Sequence, residues 1–132
     1  MPVRSYRDLR VWQAGMELVV AVYGIARRFP ADERYELVSQ MRRAAVSVPA
    51  NIAEGHGRLH LGDKLRLFSV ANGSLKELET EALIAQRLGY VPPEEAQRLE
   101  RAITELSRML ATLIRSLRRR SFPTSDHPPP TN

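Results

Sequence analysis

Apolar residues recur at steps of three and four through four successive segments of this chain. That spacing restricts the fold more than any other feature, because it returns side chains to one face of a helix turning about 100° per residue. The first seam is Leu9, Trp12, Met16, Val19, Tyr23 and Ala26, and the second is Leu37, Met41, Ala44, Val48 and Ile52. The third is Phe68, Ala71, Leu75, Leu78, Ala82 and Ala85; the fourth is Leu99, Ile103, Leu106, Leu110, Leu113 and Leu117. No stretch alternates as a strand would, and no repeat has solenoid length.

Breakers between the seams set the helix limits. Phe29-Pro30 ends a first helix predicted over Asp8–Arg28, since the residue before proline resists helical angles. Asp32 is the expected N-cap of the second helix, with Glu33 and Glu36 favoured in its first turn. That helix stops at Gly55-His56-Gly57, and RLHLG forms the next loop. Asp63 is the expected cap of helix three, which closes at Leu88-Gly89-Tyr90 with Gly89 suited to the left-handed position. Gly73, inside that helix, is expected to admit a neighbouring helix at close range. Pro92-Pro93 opens helix four. Such short connections predict an all-α, antiparallel, up-down-up-down four-helix bundle over residues 1–120. From residue 121 the chain reads SFPTSDHPPPTN, a composition that predicts a disordered Pro-rich tail.

The 132 residues suffice for one domain with a real core, at 43% hydrophobic content. There are no cysteines, which removes disulfides, zinc-thiolate sites and cysteine nucleophiles. No apolar run approaches the roughly 20 residues of a membrane span. The opening MPVRSYRDLR carries no apolar core of signal-peptide type, so a cytoplasmic location is expected. The net charge is +5 and the pI about 10.2. Only Lys64 and Lys76 are lysines; the other eighteen basic residues are arginines, whose planar fork suits carboxylate and phosphate.

The stretch QMRRAAVSVPANIAEG, Gln40 to Gly55, is unusual in its polar residues. Gln40, Arg43, Ser47, Asn51 and Glu54 fall on one narrow stripe beside the apolar seam, where a surface helix would scatter them. Pro49 inside it removes a backbone donor and predicts a kink. On helix three Ser74, Glu77 and Glu81 form a matching line. One reading pairs Arg43, Asn51 and Glu54 with Glu77, Glu81 and Gln13 to set register and subunit contacts; the other makes the stripe a ligand-binding lining.

Catalytic constellations are absent. His56 and His60 have metal-pair spacing, but they sit among Gly55, Gly57 and Gly62, where a continuous helix is not expected. No Glu is followed by His three residues on, and there is no Walker loop, GxSxG or HExxH. No enzyme activity, metal or cofactor is expected. The basic residues instead form two groups. Arg4, Arg7 and Arg10 lie at the start of helix one. Arg108, Arg115, Arg118, Arg119 and Arg120 lie at the end of helix four, where the macrodipole also favours cations. In an up-down bundle both groups share one end. Arg7, Arg10, Arg115, Arg118 and Arg119 are therefore the candidate phosphate contacts.

Four stretches in order, LRVWQ at Leu9–Gln13, VYGIARRFP at Val22–Pro30, ERYELVSQMRRAAVSVPANIAEGHGR at Glu33–Arg58 and ANGSLKELETEALIAQRLGY at Ala71–Tyr90, resemble the proteins encoded in intervening sequences of bacterial 23S rRNA genes. The resemblance implies a four-helix bundle assembled as a ring-shaped homo-pentamer, and brings no activity with it. The fold is also similar to that of the accessory variability proteins of diversity-generating retroelements, basic pentamers that bind nucleic acid and a reverse transcriptase. The expected function is a homo-oligomeric bundle that binds RNA or DNA through arginine–phosphate contacts. The alternative is a protein-binding adaptor or assembly module with no nucleic-acid role. No membrane partner is expected.

Overall fold

Ser5 begins the fold with a capping box. Its hydroxyl accepts from the Arg7 amide at 3.1 Å, and its own amide donates to the Asp8 carboxylate at 3.2 Å. This fixes a 3-10 turn, Tyr6–Asp8, from which α1 (Arg10–Ala26) departs. A second 3-10 turn, Ala31–Glu33, leads to α2 (Leu37–His56); α3 (Leu61–Arg87) and α4 (Pro93–Ser121) follow. The computed structural model describes residues 5–121; Arg4 and the expected Pro-rich tail from residue 122 onward lie outside the described residues. The described residues are all helix and connection, with four long helices. None of these helices is long and apolar enough to cross a membrane.

Two caps differ from the sequence expectation. Asp32 falls in the 3-10 turn, and Glu36 holds the N-cap position of α2. Glu33 supplies the cap instead: it accepts from the Leu37 amide at 3.4 Å and from the Tyr90 hydroxyl at 3.1 Å, tying the start of α2 to the α3–α4 turn. Burial first, then the bond to Glu33, holds the Tyr90 phenol above its ordinary value. Helix α3 starts at Leu61 rather than at Asp63, which lies in its first turn where the dipole favours it. Its C-terminus is as expected. Gly89 has φ +78°, and amides of Gly89 and Tyr90 return to the Gln86 and Ala85 carbonyls at 3.0 Å each, a Schellman closure.

The seams of α2, α3 and α4 form the core. Met41, Val48, Ile52, Ala71, Leu75, Leu78 and Leu110 are wholly buried, each large side chain contributing about 1.5–3 kcal/mol. In α1 the expected seam is rotated by about one position. The buried line is Val11, Gly15, Leu18, Val22 and Ala26, while Met16 is exposed and Trp12, Val19 and Tyr23 are half-buried. The cause is two competing apolar lines, the buried one passing through Gly15, which an apolar pattern does not register. A Cβ there would stand 3.3 Å from the Cβ of Pro49, so the two helices meet most closely through a glycine and a proline ring. Pro49 is buried within an unbroken α2.

The α2–α3 contact is similarly tight at Gly55, where an added Cβ would meet the Phe68 ring at 2.8 Å. Gly73, by contrast, is exposed with nothing within 4 Å of such a Cβ. It brings no helix of the same chain close, contrary to expectation.

Candidate nucleic-acid interface

The start of α1 meets the second half of α4, which brings Arg10 and Arg108, one from each basic group, to the same groove. That groove is also lined by Leu9, Met109, Leu113 and one carboxylate, Glu105. Arg7, Arg10, Arg108, Arg115, Arg118, Arg119 and Arg120 are all exposed. Among the described residues none of the seven forms an ion pair; the two ion pairs present are Arg28–Glu95 and Arg58–Glu54. Arg115 donates to the Thr112 hydroxyl at 3.3 Å, which holds its stem along α4. The Arg28–Glu95 pair lies beyond the far end of α1, joining it to the start of α4. Hydrogen bonding to Glu95 raises the Arg28 guanidinium, and hydrogen bonding to Arg28 lowers the Glu95 carboxyl.

The polar stripe is partly internal and partly unpartnered. Ser74, buried on α3, donates to the Ser47 hydroxyl at 2.8 Å. The Asn51 amide donates to the same hydroxyl at 2.9 Å and to the Ser47 carbonyl at 2.7 Å. These three side chains span the α2–α3 seam. The remaining expected pairings do not form within one chain. Gln13 donates to the Arg7 carbonyl at 3.0 Å, Glu54 pairs with Arg58 at 2.9 Å, and Gln40, Arg43 and Glu77 are exposed. Arg43 makes no ion pair among the described residues. Glu81 is 4% exposed, and neither carboxylate oxygen has a hydrogen-bond partner. Burial, and secondarily the charge of Glu77, push its carboxyl up to about 7.

His56 closes α2 and His60 caps α3, so the two do not share a helix. The His56 carbonyl accepts from the Lys64 ammonium at 2.7 Å, which ties the α2–α3 turn.

A second groove, of about 560 Å³, lies between α1 and the first half of α2 and contains residues not anticipated from sequence. Arg34, Arg42 and Arg43 line it with Tyr23, Tyr35 and Ser39. The Arg42 guanidinium carbon sits 4.7 Å from the Tyr23 ring centre, and its Nε is buried without an acceptor. Arg34 covers the Tyr35 ring at 5.5 Å, while Tyr35 remains 83% exposed. Arg42 lies off the stripe that Gln40 and Arg43 mark, so periodicity passes over it. The available signal was the pair of arginine–tyrosine adjacencies, one of which is tertiary.

A family model described as 23S rRNA-intervening sequence protein matches residues 7–112. No curated protein matches the chain. Among solved structures, a protein of unknown function from the S23 ribosomal protein family of Bacteroides thetaiotaomicron superposes with a TM-score of 0.74. It is 20% identical, over 80% of this chain and 95% of that one, a likeness that establishes the fold. With a family match running from the first 3-10 turn to the latter part of α4, this chain belongs to the 23S rRNA-intervening sequence protein family.

Proposed function

We propose that this chain is a non-enzymatic helical bundle, antiparallel and up-down-up-down, that assembles as a ring-shaped homo-pentamer and binds nucleic acid, RNA foremost. Binding uses arginine–phosphate contacts from Arg7, Arg10, Arg115, Arg118 and Arg119. The observation that carries this is the group of seven exposed arginines of α4 and the α1 start, none of which forms an ion pair among the described residues. Repeating that surface around a ring multiplies weak phosphate contacts without new ones. Retention of RNA and DNA at two salt concentrations tests it, with sedimentation equilibrium reporting a mass several times 15.0 kDa. Affinity should fall steeply with salt; a parent protein that retains neither polymer at low salt refutes the proposal.

A second reading, a protein-binding adaptor or assembly module, is supported by the outer face of α2 and α3. There Val46, Val70 and Ile84 are left 43–45% exposed, and Glu81 of α3 has no partner for its carboxylate. Mass without nucleic-acid retention favours it.

A further inference from the structure

We infer that the groove between α1 and the start of α2 holds one nucleotide of a single strand, its phosphate between Arg34, Arg42 and Arg43 and its base against Tyr35. This inference rests on the nucleic-acid reading and adds a site distinct from the basic end. Three guanidiniums line the groove together with two tyrosines and Ser39, and no Asp or Glu is among its lining residues. Arginine forks match phosphate oxygens with two parallel N–H donors each.

The strongest indication is Arg42. Stacking on Tyr23 satisfies the face of its guanidinium but gives the Nε–H no acceptor, and that atom is out of reach of solvent. A buried donor left without a partner is costly, and a rotation of the guanidinium toward the groove would bring the Nε–H within reach of a phosphate oxygen there. Tyr35 is the second, independent observation. The Tyr35 ring is 83% exposed, with the Arg34 guanidinium 5.5 Å from its centre. An open aromatic face beside a cluster of cations suits base stacking along a single strand. A duplex keeps its bases stacked on one another and offers none to Tyr35.

The test uses the full chain and three labelled ligands of equal length in an anisotropy titration: an oligouridine, the same strand with abasic sugars, and an RNA duplex. Tyr35→Ala should weaken the oligouridine roughly tenfold, from a stacking contribution of this order per base, and leave the abasic strand and duplex unchanged. Tyr35→Phe should retain parental affinity. Arg43→Gln should weaken both single strands, because it removes a phosphate ligand. The triple replacement of Arg115, Arg118 and Arg119 by Gln should weaken all three ligands alike. Tyr35 is so exposed that its variants fold as the parent does, which an unchanged helical signal and thermal midpoint confirm. Parental binding of all ligands by Tyr35→Ala overturns the groove inference while the basic end stands. Failure of the parent to bind any of the three ligands at low salt overturns both readings together.

Discussion

Replacing Glu81 by methionine should abolish a pH dependence that this carboxylate imposes on the fold. Glu81 is buried with both oxygens unpartnered, beside the like charge of Glu77, and titrates near 7 rather than at 4.5. The folded state therefore keeps the proton over a range where the unfolded chain has lost it. The group's contribution is fully present below pH 4.5 and is lost as pH rises through 7. At 1.36 kcal/mol per pH unit, the loss approaches about 3 kcal/mol by pH 8. Methionine has similar length, no charge and no donor to strand, so the variant lacks this loss. Urea unfolding of parent and variant between pH 4.5 and pH 8 measures it. The stability difference should widen in favour of the variant by up to about 3 kcal/mol. A difference independent of pH refutes the reasoning. A variant that becomes the less stable protein at pH 8, increasingly so at higher protein concentration, would show that a cation from another copy holds the charge.

Gly55→Ala should cost about 1–3 kcal/mol in the same assay, because its methyl group meets the Phe68 ring at 2.8 Å and the Leu67 Cβ at 3.2 Å. Gly73→Ala meets nothing within the chain and should stabilise an isolated chain by about 0.5–1 kcal/mol through helix propensity; a drop in sedimenting mass would instead place a second copy against that face. Replacing Arg115, Arg118 and Arg119 by Gln should reduce the slope of log affinity against log salt by about 0.7–0.9 for each phosphate no longer neutralised. An unchanged slope would remove these residues from the interface.

Three of the four seams were legible because leucine, isoleucine and valine mark the buried faces of α2, α3 and α4 directly. The α1 face was misplaced because α1 carries two competing apolar lines, Val11, Leu18 and Val22 beside Trp12, Met16 and Val19, and the Gly15 that packs on Pro49 adds no apolar signal to the buried one. Helix ends followed the same division. Gly89 could be read, since its left-handed φ needs a particular residue type. The α2 cap could not, because Glu33 caps from a separate turn and reaches Tyr90 across the fold. The basic end was visible as a run of arginines without acids. The Arg34–Tyr35–Arg42–Tyr23 groove is assembled from two helices and a turn, and its members share no period.

The hydroxyl chain of Ser74, Ser47 and Asn51 bears on how this molecule finds its structure. The α2–α3 seam repeats small and branched apolar groups, among them Ala44, Val48, Ala71, Leu75 and Ala85. Sliding one helix along the other by a turn, about 5.4 Å, sets hydrocarbon against hydrocarbon again along much of that seam, though not where Phe68 packs on Gly55. The serines do not tolerate that shift. Once Ser74 leaves Ser47, the buried Ser74 hydroxyl faces apolar side chains, at about 1–3 kcal/mol for a buried polar group left unsatisfied. Three modest side chains thus add a polar check on helix register to the steric one at Gly55.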